Sequence, residues 1–315
     1  MSTDSQYNYV ISYGKLYVPV YRMYAHPMKG VKAVPESPFQ DTANILFAAE
    51  VDLEVFGNNF LPAYTQGDNS MVVATDSMKN FILRESLNYQ GSTLEGLLYF
   101  LGSGFLTTYP QMEALRITGR ELPFSAARVP QGAGGTFGES EVLFSRSNND
   151  YGMAYQDMDR SGSGPTVTAH RCGRPGLKLL KVTGSAFTHF VRDEYTTLPE
   201  RGDRPLFIYM DIYWKYANTN DMLSSDLSRY APSEQVRDVV QTVFHEFVSE
   251  SIQHLMHEMG LRLLDRFPQL SEVSFDGQNR TRDPIATSET DPKIKVYTDP
   301  FPAYGQLKLT MSRKG

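Results

Sequence analysis

One order of elements, strand, strand, helix, helix, strand, strand, can be read twice along this chain of 315 residues, and it constrains the fold more than any single motif does. In the first half, residues 9–24 are aromatic and β-branched and read as a strand interrupted at Gly14–Lys15. Residues 44–56 read as a cleaner strand, with Val51, Leu53 and Val55 alternating against Glu50, Asp52 and Glu54. A first helix is expected to start with Asp76 as its N-cap and stop near Gly91. A second is expected from the capping-box spacing of residues 92–95, carrying Leu97, Leu98, Leu101 and Phe105. Strands are then expected over 114–117 and around 141–144. The second half offers strands over 177–190 and 206–216, then a helical region opened by Pro232 and divided at 249–251. Strands over 272–275 and 305–310 close it.

Antiparallel sheets with two helices on one face make an α+β fold. The Ser/Gly/Pro run 161–165 marks the linker, giving domains 1–164 and 165–315. A four-stranded sheet with open edges invites pairing with another copy, so a homo-oligomer is expected. The Gly-rich run 132–138 does not open a helix inside a βαβ unit, so it reads as a hairpin loop and not as a dinucleotide site.

Composition narrows the function classes. The net charge is −6 with no basic stripe, which argues against nucleic acid. Cys172 is the one cysteine, so an internal disulfide and a cysteine-built metal site are excluded. The first residues are polar and no apolar run reaches transmembrane length, so no membrane partner is expected and the cytoplasm is the default location.

The corner at 71–80 (MVVATDSMKN) puts Thr75 and Asp76 at the positive end of a helix, where free N–H groups suit an anion. The ordinary reading is a cap that only starts a helix. Lys15 ordinarily reads as a solvated edge charge. Phe187 could stack on a flat ring, Arg204 could grip adjacent oxygens with its planar fork, and Gln253 offers a donor and an acceptor. Their ordinary readings are core, surface ion pair and helix surface. His254 and His257 lie one turn apart with no third ligand in view, so no metal is expected. No nucleophile elbow or phosphate loop occurs.

Along nearly its whole length the chain resembles the urate oxidase (uricase) family. The matching words are Tyr13–Gly14–Lys15, the 72–80 stretch VVATDSMKN, the 187–198 stretch FTHFVRDEYTTL with Asp203–Arg204, Ser251–Ile252–Gln253, and the 266–270 stretch RFPQL. The resemblance implies two tandem tunnelling-fold domains, and homotetramers in which pairs of subunits close their sheets into a barrel. It implies active sites at subunit interfaces, with Lys15, Thr75 and Asp76 from one subunit. Phe187, Arg204, the main chain of Ile252, Gln253 and an asparagine would come from the neighbour. It implies oxidation of urate by O2 and water to 5-hydroxyisourate and hydrogen peroxide with no cofactor. A threonine hydroxyl becomes useful as a proton carrier if a neighbouring amine takes its proton, so a Thr75–Lys15 relay is expected.

One departure stands out. Many family members have Asn-x-His near the last strands, and this chain has Gln278–Asn279–Arg280–Thr281. Aligning Asn279 keeps an amide to hold O2 or water and puts Thr281 in the histidine's place, with ordered water as its substitute. Shifting by one pairs Gln278 with Arg280. The first register is preferred. Two other readings compete: a tunnelling-fold enzyme acting on pterins or guanine nucleotides, and a non-catalytic purine-binding oligomer. Metal-dependent enzymes of the former kind need Cys and His ligands, against which the lone Cys172 argues.

Overall fold

A computed structural model describes residues 7–146, 149–161, 164–280, 282–299 and 302–314. In chain order the elements are β1 (Ser12–Met23), β2 (Leu46–Phe56), α1 (Leu61–Thr65), α2 (Thr75–Ser86), α3 (Leu94–Thr108), β3 (Ala114–Glu121), β4 (Phe124–Gln131), β5 (Thr136–Arg146) and β6 (Met153–Asp159). They continue with β7 (Thr166–Lys181), β8 (Leu206–Tyr216), α4 (Asn220–Leu223), α5 (Ser233–Glu246), α6 (Ile252–Arg266), β9 (Leu270–Asn279), β10 (Pro284–Thr287), β11 (Lys295–Tyr297) and β12 (Gly305–Ser312).

Eight strands form one antiparallel sheet in the order β1-β2-β3-β6-β7-β8-β9-β12. The repeat foreseen in the sequence is therefore present, as β1-β2-α2-α3-β3-β6 followed by β7-β8-α5-α6-β9-β12. The helices cover one face. Val51, Leu53 and Val55 in β2 and Ile208, Met210, Ile212 and Trp214 in β8 are buried against them. Burying each of the Val, Leu, Ile and Met side chains among them contributes roughly 1.5–3 kcal/mol. The opposite face is polar and carries ion pairs such as Arg120–Asp52, Arg116–Asp157, Lys215–Glu272 and Lys308–Asp276. That two-faced alternation is what an antiparallel sheet covered on one side produces.

Several expectations are corrected. Asp76 does not cap α2: Ala74 holds the N-cap position and Thr75 is already helical, with Asp76 in the first turn. The helix ends at Ser86, short of Gly91. Thr93, not Ser92, caps α3, its hydroxyl accepting the Gly96 N–H. Glu95 is thereby released from a capping box and buried instead. The strand around 141–144 lies in the separate β4–β5 hairpin, whose turn is the Gly-rich run. The fourth strand of the main sheet is β6, hidden in the sequence because the polar Gln156 takes a buried position between Ala154 and Met158. β7 begins earlier than 177 and ends at Lys181. It runs through Pro175–Gly176 because a bulge between Arg174 and Leu177 absorbs them. In β1 the interruption falls between Lys15 and Val18, not at Gly14–Lys15.

Candidate active site

The first group of residues sits where β1 meets the start of α2. The Tyr13 hydroxyl accepts the Val73 N–H at 2.8 Å and ties the strand to the helix entrance. Gly14 lies so close to β2 that a Cβ there would stand 2.1 Å from the Leu53 carbonyl oxygen. That close approach positions the half-buried Lys15. Thr75 and Asp76 are exposed at the first two positions of α2, where helical N–H groups have no carbonyl partner within the helix. Asp76 is held below the usual carboxylate range by a 2.6 Å hydrogen bond from Lys79 and that lysine's charge, then by Asn80 and by the charge of Lys15. Its carboxylate is thus already committed, while neither the Thr75 hydroxyl nor the Lys15 amine makes a hydrogen bond among the described residues.

The second group is assembled by the connection between β7 and β8. Phe187 and Arg201 exchange main-chain hydrogen bonds of 2.8 and 3.1 Å, and the Arg204 N–H donates to the Ser185 carbonyl at 2.8 Å. Ser185 forms a parallel bridge with Ser249, and the Ala186 N–H reaches the Ser249 carbonyl at 2.8 Å. The Phe187 loop is therefore stitched to the entrance of α6. There the Ser251 hydroxyl accepts the His254 N–H at 3.1 Å. Ile252, buried, and Gln253, exposed, follow with first-turn N–H groups that the helix itself cannot satisfy.

Phe187 stacks on Phe190 with ring centroids 4.9 Å apart and planes 11° off parallel. The Arg204 guanidinium lies 5.4 Å from the Phe187 ring centroid. Its Nε is buried with no acceptor among the described atoms. Burial, and then the charge of Arg201, push Arg204 down from the usual arginine range. Arg204 and Asn279 line one cavity with Arg201, Phe207, Arg280 and Arg282. Asp203, Asp283 and Lys295 line it as well, and Asp283 pairs with Arg201 at 3.2 Å, so it is the buried Arg204 donor without an acceptor that calls for an anionic or carbonyl oxygen.

Asn279 pairs with Ile208 across the sheet, on the side of the buried Phe275. Gln278 faces the other way, where Arg280 donates to its Oε1 at 3.0 Å. Arg280 lies over the rings of Tyr209 and Tyr304. Thr281 lies outside the described residues. No hydrogen bond or ion pair among the described residues joins Lys15, Thr75 or Asp76 to the second group. β1 is one edge of the sheet and β9 is six strand spacings away, roughly 29 Å along the sheet. His254 and His257 lie 3.9 and 3.4 Å from Glu258, and no cluster of three or more ligand-type side chains occurs among the described residues. Sequence reasoning assigns no role to Tyr13 or Arg282, and offers Arg280 only in the register that is not preferred. The Ser185–Ser249 stitch could have been sought in the serines that flank both loops.

The Uricase family model matches residues 53–151 and 170–307. The chain belongs to the uricase family. It is 46% identical over 303 residues to a uricase of Haloferax volcanii, covering 96% of this chain and 98% of that relative. It is 45% identical over 311 residues to a uric acid degradation bifunctional protein of Bacillus subtilis, covering 99% of this chain but 63% of that longer relative. The urate oxidase of Bacillus sp. TB-90 superposes with a TM-score of 0.92 at 44% identity, covering 97% of this chain and all of that one. The fold of the uricase family, two tandem tunnelling-fold domains, is the architecture described above.

Proposed function

We propose that this chain is a urate oxidase, an oxidoreductase of purine breakdown that works without a cofactor, and that its active site forms between two copies of the chain. Family membership supports the reaction. The shared site is carried by one observation: the two groups of candidate residues lie far apart on one sheet, and each ends in unsatisfied donors. The division into domains 1–164 and 165–315 falls between β6 and β7, which pair with each other, and both outer strands, β1 and β12, offer open edges to further copies. A homotetramer follows if barrels closed from two chains stack in pairs.

On this reading Phe187 stacks on urate through the face not taken by Phe190. Arg204 and Gln253 hold the ring edge, and the Ile252 N–H adds a donor. Lys15 and Thr75 of the neighbouring copy take the proton that makes the ring electron-rich enough to reduce O2, with Asp76 at the rim. Asn279 holds O2 or the attacking water above the ring, and Thr281 or an ordered water completes the relay. Urate, O2 and one water then balance 5-hydroxyisourate and hydrogen peroxide. A cytoplasmic location belongs to the same proposal and is checked by cell fractionation. No helix among the described residues is long and apolar enough to cross a membrane.

The deciding experiment follows urate absorbance and peroxide in air, with and without a chelator. Loss of the urate band with peroxide release, unaffected by chelator, is expected, and an inert protein would end the proposal. Mixing Lys15→Met and Arg204→Ala chains through a dissociation and reassociation step tests the shared site. Recovered activity is expected, and none would be recovered if each chain held a whole site.

A further inference from the structure

The two halves match residue by residue around the candidate site. Gly14–Lys15 in β1 and Gly173–Arg174 in β7 each precede the same bulge, Lys15 to Val18 in one and Arg174 to Leu177 in the other. Each bulge is pinned alike: Asp52 accepts the Tyr17 N–H at 2.7 Å and Asp211 accepts the Gly176 N–H at 2.8 Å. Arg174 therefore holds the place of Lys15. Ser233–Glu234 opens α5 as Thr75–Asp76 opens α2. Thr93 caps α3 as Ser251 caps α6, through the same hydroxyl bond, so Leu94–Glu95 corresponds to Ile252–Gln253. Glu121 faces Ala49 as Asn279 faces Ile208.

These counterparts do meet, inside one chain, where β6 pairs with β7. Arg174 donates to the Ser233 hydroxyl at 3.0 Å and to Glu234 at 3.4 Å. Glu121 accepts the Gly152 N–H at 3.0 Å, and a Cβ on Gly152 would touch both Glu121 and the Ser233 hydroxyl. The buried Glu95 accepts the Tyr230 hydroxyl at 2.7 Å. The Tyr230 ring is buried with Met28, Val31 and Leu227. Met28 bridges to Thr42 in the connection after β1, as Phe187 bridges to Arg201 in the connection after β7.

We infer that this junction is an internal copy of the candidate urate site whose ring pocket is filled by the chain's own Tyr230, so that removing that side chain leaves a binding site for a small neutral phenol. The correspondence rests on the residues assigned under the proposed function, but the pocket is read without any urate turnover. One difference from the outer site bears on the ligand. Amides at Gln253 and Asn279 are replaced by carboxyls at Glu95 and Glu121. Burial pushes both carboxyls up, Glu121 to about 8 with the charge of Glu234 adding to it. An added anion would meet these groups in a desolvated space, whereas a neutral ring with one hydroxyl donor repeats what Tyr230 supplies.

The test uses the full chain carrying Tyr230→Gly, with thermal unfolding followed in 4-methylphenol, toluene and benzoate. The variant is expected to melt below wild type and to regain about 3 °C or more in 4-methylphenol, less in toluene and nothing in benzoate, while wild type responds to none of them. An equal response of wild type and variant to 4-methylphenol would overturn the inference. If Tyr230→Gly does not fold alone, refolding with 4-methylphenol should recover it, and no recovery counts against the pocket. Tyr230→Phe keeps the ring and loses the donor. It should melt lower than wild type, ignore 4-methylphenol and oxidise urate at the wild-type rate, and an unchanged melting temperature would refute the Glu95 contact. Inert wild type toward urate would instead sink the proposed function and leave this pocket standing.

Discussion

Lys15 follows a glycine that admits no side chain, and its amine reaches toward the entrance of α2 where its charge acts on Asp76. Replacing it with methionine keeps the stem and removes the proton acceptor. Lys15→Met is expected to bind a urate analogue with little change while turnover falls roughly 10²–10⁴-fold, the range of a lost general base. Normal turnover would remove Lys15 from the relay. Gly14→Ala tests placement without touching chemistry. Its methyl would collide with the Leu53 carbonyl of β2, so about 2 kcal/mol of stability and most of the activity should go together. Arg204→Lys keeps a charge but loses the planar fork. KM for urate should rise about tenfold or more, and an unchanged KM would mean that the fork does not hold the ring.

Among the elements, the connection of residues 24–45 between β1 and β2 crosses to the other half of the chain. Glu36 lies on it, and its side chain is 4% exposed against Arg262 and Arg266 of α6. Gln235 of α5 donates to the Lys32 and Phe39 carbonyls at 2.9 and 2.8 Å. Burial pushes the Glu36 carboxyl up, but hydrogen bonds from Arg266 and then Arg262 outweigh it and leave the group at about 2, against an ordinary 4.5. A lowered folded-state value stabilises the protein above about pH 4.5, and that contribution is lost as the pH falls toward 2. Glu36→Gln should therefore cost about 2 kcal/mol in urea unfolding at pH 7, between a surface pair and a fully buried one. The gap to wild type should narrow steadily at pH 4 and pH 3, and a constant gap would refute the pairing. Such a contact was not legible in the sequence, because a charge in a long connection has no periodicity to betray it. β8 was legible because it is a run rich in aromatic and branched residues, and its burial alternates along the strand. β6 was not, because the polar Gln156 takes one of its buried positions. The Thr75 corner was legible as a helix start, yet the cap was misplaced by two residues: Asp76 binds Lys79 and Asn80 instead of the backbone.

At the scale of the whole molecule, the repeat makes the chain a template for its own assembly. β6 pairs with β7, and their counterparts β12 and β1 are the two free edges of the sheet. If a second copy joins β12 to its own β1 as β6 joins β7, the internal register dictates the external one. Leu307 faces Gly277 of β9 as Ala154 faces Gly119 of β3. Within the chain Ala154 faces Cys172, and Tyr155 faces Arg171. Cys172 stands just before Gly173–Arg174 as Tyr13 stands just before Gly14–Lys15, so Leu307 should face Tyr13 of the other copy, and Lys308 should face Ser12. That pairing would also bring Lys15 and Thr75 of one copy to Gln253 and Asn279 of the next, just as Arg174 and Ser233 already meet Glu121 at the internal junction. A chain carrying Ser12→Cys and Lys308→Cys should therefore form disulfide-linked chains under mild oxidation, running as dimers and not as monomers on a non-reducing gel. Shifting one cysteine along the strand, to Lys308 with Tyr13, should abolish most of the cross-link, since adjacent strand residues point to opposite faces. Equal cross-linking at both registers, or none at either, would mean that the edges meet differently and that the two groups of site residues are not joined by this contact.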